Sequence, residues 1–164
     1  MQAIIEAYGL APHPEGGFFR ETYRSTDHVP GTARALSTAI YFLLPAGAWS
    51  RLHRIGADEV WHFYEGGPLV VAELGADGAV RRTVLGRDRA RGETLQHVVR
   101  RGTWFGAYPA AGTAFALVGC TVSPGFEFDD FELARRDMLI ERCGASADAR
   151  ALVERLTDPS PAGI

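Results

Sequence analysis

The sequence predicts an all-β protein built as an antiparallel sandwich or barrel, with short helices at its two ends. Many short segments rich in β-forming residues are each bounded by Gly, Pro or Asp, which is the pattern of antiparallel all-β folds. Apolar residues at helical spacing occur only before and after this region. With 164 residues, of which 46% are hydrophobic, the chain has the size and composition of one globular domain.

The N-terminal segment is predicted to form a short helix followed by a turn-rich loop. Apolar residues at helical spacing indicate a helix over Gln2 to Tyr8, which Gly9 ends. The next segment, Ala11 to Gly17, contains two prolines and two glycines, which do not fit inside regular structure.

The central part of the chain is predicted to form eight short strands. Strict alternation in the first of them would place Arg20 and Arg24 on one face and Phe19, Glu21 and Tyr23 on the other. The predicted strands are Phe18 to Arg24, Ser37 to Leu44, Glu59 to Tyr64, Leu69 to Leu74, Val80 to Leu85, Leu95 to Val99, Trp104 to Tyr108 and Phe115 to Val122.

The C-terminal part is predicted to be helical. Helical spacing runs over Ala134 to Cys143 and over Ala147 to Leu156, and Ser146 is a suitable N-cap for the second helix. We therefore expect a single domain over residues 1–164, with a β core over about residues 18–133 and helices over about residues 134–157.

Composition and charge exclude several classes of partner. The net charge is −3 and the arginine pairs are scattered along the chain, so no nucleic-acid partner is expected. No apolar run approaches transmembrane length and the N-terminus lacks a signal-peptide pattern, so we expect a soluble, cytoplasmic protein with no membrane partner. Both cysteines are expected to be reduced, and Cys120 to be buried in its apolar run.

The most informative pair of residues is His53 with Glu59, in a stretch bracketed by Gly47 and Gly66. An imidazole and a carboxylate on adjacent antiparallel strands can converge inside a barrel. Two interpretations are open: the pair binds a divalent metal, or it acts as a base with its orienting partner.

The spacing around this pair resembles the first motif of the cupin superfamily, which has a glycine, two histidines as HxH, a glutamate and a second glycine. Two ligand positions differ from the superfamily pattern, since Ile55 replaces the second histidine and Phe105 replaces the histidine of the second motif. The positions that match are Gly47, His53, Glu59 and Gly66.

This resemblance implies a metal held by three histidines and a glutamate, of which only His53 and Glu59 are present. The site therefore either works without a cofactor or binds a divalent metal, Zn, Mn, Fe or Ni. In the second case His62 or Gln96 would supply a further ligand, although strand alternation places His62 on the opposite face from Glu59.

A closer resemblance runs along about residues 10–135. The segments PHPEGGFFRETYRS, TAIYFLL, DEVWHFYEGGPL and LVGCTVSPGFEFDDFEL are similar to one cupin family of largely unassigned function. This similarity implies a jelly-roll barrel, the antiparallel double-stranded β-helix, and a homodimer. Phe126, Phe128 and Phe131 are expected to pack on the neighbouring subunit.

Further ligand contacts are predicted around the pocket. Glu15 is expected at the pocket mouth, and Arg20 and Arg24 either face solvent or bind an anionic group of the ligand. The other candidates are either core residues or pocket walls; they are Trp61, His62, Phe63, Gln96, Trp104 and Phe105.

By analogy with metal-free epimerases of the same superfamily, the chain is predicted to be an isomerase, epimerase or lyase for a sugar-like or other polar metabolite. In this hypothesis His53 abstracts a proton beside a carbonyl, Glu59 orients or assists it, and Tyr41 returns a proton. The alternatives are a ligand-binding protein without turnover, of the sensor or storage type, and a metal-dependent enzyme.

Overall fold

The computed structural model describes residues 1–158 and consists mainly of two antiparallel β-sheets packed face to face. The first sheet has the order β1-β2-β3-β10-β5-β8 and the second β11-β4-β9-β6-β7. The strands are β1 Ala11–Pro12, β2 Phe18–Arg24, β3 Thr38–Pro45, β4 Ser50–Arg54, β5 Asp58–Gly66, β6 Leu69–Leu74, β7 Val80–Leu85, β8 Gln96–Val99, β9 Trp104–Pro109, β10 Phe115–Ser123 and β11 Glu132–Leu133.

Three α-helices flank the sheets: α1 Gln2–Tyr8, α2 Arg136–Arg142 and α3 Ala147–Thr157. The predicted all-β jelly roll with short terminal helices is thus confirmed. Ser146 caps α3 by accepting a hydrogen bond from the Ala149 N–H at 3.2 Å, as predicted. None of the helices within residues 1–158 is long and apolar enough to cross a membrane.

The space between the sheets is filled by large apolar side chains. Trp61 is fully buried at its centre, with edge-to-face contacts to Phe42 at 5.9 Å and to Phe105 at 6.2 Å between ring centroids. A second apolar layer forms where Leu52 and its neighbours on the outer face of the second sheet pack against α2 and α3. The C-terminal helices therefore cover one sheet and leave the interior of the sandwich to the site.

Strand β4 does not appear among the predicted strands because its inner face is polar. Ser50 and His53 are both buried, while Leu52 points out toward α2 and α3. Hydrophobic alternation is therefore weak in this segment. Sequence patterns count polar residues as exposed, so they do not predict a strand whose buried face is polar.

A β-bulge in β2 changes the predicted faces of its arginines. Glu21 pairs with Ile40 and Tyr23 with Ala39, so Thr22 is an extra residue in this strand. After the bulge Arg24 lies beside Glu21 at the rim of the interior, whereas Arg20 stays on the outer face. The prediction that Arg20 and Arg24 share one face is therefore wrong.

Residues 124–133 fold back over one end of the sandwich before β11 joins the second sheet. Phe126 and Phe131 pack in a cluster with Ile55 and Val122 of the same chain, and the side chain of Phe128 is 57% exposed. Two of the three phenylalanines expected to pack on a neighbouring subunit are thus engaged within the chain, and the homodimer stays a prediction.

Gly17 fixes the N-terminal loop against β3, and its replacement tests this anchor. It has φ +72°, and a Cβ atom there would lie 2.6 Å from the Leu43 carbonyl oxygen and 2.7 Å from Leu44. Gly47 has a similar φ of +77° with no atom within 4 Å of such a Cβ. Both Gly→Ala changes force a left-handed residue, at about 1–2 kcal/mol, and only Gly17→Ala adds an overlap with the backbone.

We therefore expect Gly17→Ala to lower the free energy of unfolding by at least about 1 kcal/mol more than Gly47→Ala, measured by urea denaturation. Equal losses for the two variants would show that the loop is not held by close packing on β3.

Candidate functional site

A cavity of about 90 Å³ lies inside the sandwich, at the end covered by residues 124–133. His53 reaches it from β4 and Glu59 from β5, which are consecutive in the chain but belong to opposite sheets. The two side chains therefore face one cavity from opposite sheets, whereas the sequence predicted adjacent antiparallel strands. The lining residues are His13, Glu15, Phe19, Glu21, Arg24, Thr38, Ile40, His53, Ile55, Glu59, Cys120, Val122, Phe126, Glu127 and Phe128.

Glu15 is the carboxyl group that contacts His53. Its Oε2 atom lies 3.3 Å from His53 Nε2, and its Oε1 atom accepts a hydrogen bond from the Ser50 hydroxyl at 2.9 Å. The backbone carbonyl of Glu15 also accepts the Arg51 N–H at 2.8 Å, which ties the N-terminal loop to β4. Sequence patterns place Glu15 at the pocket mouth, but only 6% of it is exposed.

The hydrogen bonds fix the tautomer of His53. Its Nδ1 atom lies 2.7 Å from the Arg51 carbonyl oxygen, which can only accept, so Nδ1 carries the proton. Burial lowers the pKa of His53 to about 4, with a smaller opposing effect from that hydrogen bond. Nε2 of the neutral ring is therefore a lone-pair acceptor that faces Glu15.

The Glu15 carboxyl is the charged or chargeable group nearest to that acceptor. Burial raises its pKa, while His13 and the Ser50 hydroxyl lower it by smaller amounts. Oε2 of Glu15 and Nε2 of His53 are 3.3 Å apart, and we refer to the two residues as the His53–Glu15 dyad.

Glu59 faces the same cavity from the first sheet. Burial raises its pKa to about 8, and the charge of Glu15 adds to this rise. The Cys120 thiol and the Trp61 indole N–H oppose it as donors, although Trp61 Nε1 makes no hydrogen bond of normal geometry. At neutral pH Glu59 is therefore mainly an uncharged carboxylic acid, able to donate a hydrogen bond.

His13 completes the buried polar group. Its Nδ1 atom accepts the Glu15 N–H at 3.3 Å, which leaves the proton of the neutral ring on Nε2. Burial is the main cause that lowers the pKa of His13, and the charge of Glu15 partly compensates. The ring packs edge-on against Phe19 at 4.5 Å between centroids. Its Nε2–H is thus a donor held on a rigid loop.

Several predicted site residues lie outside this cavity. Tyr41 contacts Tyr8 and Tyr64 on the outer face of the first sheet, because Ile40 takes the inward position in β3. Arg20 stacks on the Tyr41 ring at 5.6 Å. The structure therefore gives Tyr41 no path for returning a proton in this cavity.

His62 and Gln96 also lie on the outer face. His62 Nε2 is 3.0 Å from the Thr121 hydroxyl, and Gln96 Nε2 is 2.9 Å from His62 Nδ1. His62 lies on the opposite face from Glu59, as strand alternation predicted, and neither residue lines the cavity around His53. The metal-dependent alternative that recruits His62 or Gln96 is thus not compatible with their positions.

The predicted aromatic contacts belong to the core. Trp61 and Phe63 are buried between the sheets, and Phe105 packs on the His53 ring at 4.1 Å between centroids. Trp104 points to the opposite side of β9, where the Arg54 guanidinium lies 4.7 Å from its ring centre. Phe105 supports the His53 ring, and Trp61 directs its indole N–H toward Glu59.

The residues present do not fit the metal site of the superfamily. Within residues 1–158, no three His, Cys, Asp or Glu side chains are arranged to hold a metal ion. Ile55 and the Phe105 ring stand at the two positions where the resemblance would put further histidines. His53 Nε2, the free nitrogen, is directed to Glu15.

Sequence patterns alone did not identify His13, Glu21, Cys120 and Glu127 as cavity residues. For His13 a signal was present, since it stands two residues before Glu15 in a loop rich in proline and glycine. Glu21 shares a face with Phe19 by strand alternation, and the bulge at Thr22, which the sequence does not reveal, adds Arg24 to the residues beside it. Glu127 lines the cavity because residues 124–133 fold back over it, which the sequence pattern does not predict.

Comparison with known proteins places this architecture in a group without an assigned activity. A family model described as Cupin superfamily (DUF985) matches residues 2–134. A protein of Shewanella oneidensis with a crystal structure is 39% identical, with coverage of 96% of this chain and 97% of that one and a TM-score of 0.88.

Two further relatives extend the comparison to eukaryotes. A hypothetical protein from Leishmania major is 34% identical, with coverage of 94% and 97% of the two chains and a TM-score of 0.85. An uncharacterized protein of Saccharomyces cerevisiae is 29% identical over an aligned length of 147 residues, with coverage of 79% of this chain and 73% of the yeast protein.

The raised pKa of Glu59 predicts a loss of stability as the pH rises. Because folding raises this pKa from 4.5 to about 8, the folded protein holds a proton that the unfolded chain has released. The free energy of unfolding therefore falls with rising pH in this range. His53, with a pKa lowered from 6.5 to about 4, has the opposite effect up to pH 6.5, so the window for Glu59 is pH 6.5 to 8.

We expect the wild-type free energy of unfolding to fall, relative to Glu59→Gln, by up to about 2 kcal/mol across this window. Urea denaturation at fixed salt across the window measures the difference. Glu132→Gln, which changes a half-exposed carboxylate, is the control and should keep the wild-type slope. Parallel profiles for wild type and Glu59→Gln would contradict the assignment of a protonated Glu59.

Proposed function

This chain belongs to the DUF985 family of the cupin superfamily, and we propose that it binds a small polar metabolite and transfers a proton on it without a metal. One observation carries the proposal. A base and an acid face the same buried cavity from opposite sheets: the His53–Glu15 dyad and the protonated Glu59.

The dyad supplies the base. Neutral His53 holds its lone pair on Nε2, and the Arg51 carbonyl fixes the ring orientation from the other side. Proton uptake by the dyad gives an imidazolium beside a carboxyl group, which the Ser50 hydroxyl also contacts. Positioned bases of this kind contribute about 10²–10⁴-fold to proton transfer.

Glu59 supplies the acid. As a carboxylic acid in an apolar cavity wall, it can donate a hydrogen bond to a ligand carbonyl oxygen where negative charge develops. A proton leaves the carbon next to that carbonyl for the dyad, and the resulting enol is stabilised by Glu59. Return of the proton to another face or atom gives epimerisation or isomerisation, and loss of a leaving group gives elimination.

The size of the cavity limits the group that reacts. About 90 Å³ is less than the cavity of about 150 Å³ known to accept benzene. A sugar ring would therefore enter only in part while residues 124–133 are closed, and a reacting part of a few non-hydrogen atoms fits best.

A binding protein without turnover is the second candidate. The apolar side chains of Ile40, Ile55, Val122 and Phe126 form much of the wall, which is typical of ligand capture. In this case a metabolite would stabilise the fold and be recovered unchanged.

Hydrogen exchange into small carbonyl compounds tests the proposed chemistry. In D₂O, we expect the protein to accelerate deuterium uptake at the carbon next to the carbonyl of at least one of dihydroxyacetone, glyceraldehyde and pyruvate, followed by proton NMR. His53→Gln and Glu59→Gln should each reduce the accelerated rate by about 10²-fold or more, because each removes one proton-transfer partner.

The matched control is His97→Gln. His97 Nε2 lies 2.8 Å from Glu73, in a second His–Glu pair outside the cavity, and its loss should leave the rate unchanged. Stabilisation of the protein by these compounds without any deuterium uptake would favour the binding protein. Uptake that survives in folded His53→Gln and Glu59→Gln proteins would show that the assigned roles are wrong.

A further inference from the structure

Arg24 stands at the mouth of the cavity with two carboxylate partners. Its Nε and Nη2 atoms donate to Glu21 at 3.0 and 2.9 Å, and its Nη1 atom donates to Glu127 at 2.8 Å. The Phe126 carbonyl accepts from Nη2 at 3.2 Å. The two carboxylates differ, because Glu21 belongs to the same strand and is bound bidentately, while Glu127 is bound through one nitrogen.

Glu127 belongs to residues 124–133, which three ion pairs hold over the cavity. These pairs are Arg24–Glu127, Arg34–Asp130 and Arg54–Glu132. Of the six residues, only Arg24 and Glu127 line the cavity. Half-exposed ion pairs contribute little to stability, so loss of the Arg24–Glu127 pair leaves the packing of Phe126 and Phe131 on Ile55 and Val122 to hold the segment.

We propose that Glu127 occupies the position of a ligand carboxylate on Arg24, so that the ligand is a small carboxylic acid that replaces Glu127. The exchange puts one carboxylate in place of another, and the charge at the mouth does not change. This matters because Glu15 and Glu59 lie in the same cavity, where an additional anion would be opposed. Glu21 keeps its bidentate contact and holds Arg24 in place throughout the exchange.

This inference rests on the proposed function and narrows its substrate class. A carboxylate on Arg24 at the mouth directs the rest of a short ligand inward, toward His13, His53 and Glu59. The volume of about 90 Å³ suits an acid of a few carbon atoms.

Binding of short acids and of their amides tests the exchange. The probes are acetate, propionate and pyruvate, with acetamide and propionamide as uncharged counterparts, titrated at fixed ionic strength and followed by NMR shifts of backbone amides. Glu127→Gln should increase the affinity for the carboxylates by about two- to fivefold, the gain expected when a half-exposed competing ion pair is removed. Arg24→Gln should lower this affinity by about tenfold or more.

The control is Glu132→Gln. The side chains of Glu132 and Glu127 are both 44% exposed and each binds an arginine, but Glu132 does not line the cavity. Glu132→Gln loosens the same segment and should leave carboxylate affinity unchanged. Glu59→Gln should still bind the acids, so that loss of binding and loss of proton transfer are recorded separately.

Three results would overturn the inference. The first is that Glu127→Gln increases the affinity for acids and for amides equally, which would indicate easier access instead of carboxylate exchange. The second is that Glu127→Gln increases the affinity for inorganic phosphate more than the affinity for any carboxylate. The third is the absence of carboxylate binding up to about 100 mM, within the range that ligand efficiency allows for molecules of this size.

Discussion

The site is governed by one electrostatic constraint: Glu15 and Glu59 share a buried cavity and cannot both be ionised there at neutral pH. No lysine exists in the chain, and Arg24, the one arginine that lines the cavity, is already bound to Glu21 and Glu127. The cavity therefore has to hold a proton on at least one of these two carboxyl groups. The neutral form of His53 and the protonated form of Glu59 are two consequences of the same desolvation.

The aromatic core makes this arrangement rigid. Phe105 packs on the His53 ring, and Trp61 packs on Phe105 from the far side. A histidine at position 105 would add a metal ligand, whereas the phenylalanine adds only an apolar ring. The Phe105 ring and the hydrogen bond to the Arg51 carbonyl together orient the imidazole.

Much of the fold could be predicted from the sequence because its core strands alternate or are continuously apolar. The strands Leu69–Leu74 and Val80–Leu85 and the helix Gln2–Tyr8 have the predicted bounds. Local patterns indicated His53 and Glu59 as site residues, and both line the cavity.

The partner of His53 could not be predicted in the same way. Glu15 belongs to a loop 38 residues earlier, and its contact with Ser50 and His53 exists only after the loop docks on β4. The faces of Arg20 and Arg24 depend on one extra residue in β2, for which hydrophobic alternation gives no signal. Tertiary contacts of this kind decide which of several plausible polar residues enter the interior.

The return of residues 124–133 has a consequence for the assembly state of the protein. The segment ends in β11, whose pairing with β4 covers an edge of the second sheet. An uncovered edge of this kind offers unpaired backbone groups to strands of other molecules. The segment that covers the cavity therefore also shields β4 from edge-to-edge pairing with strands of other molecules.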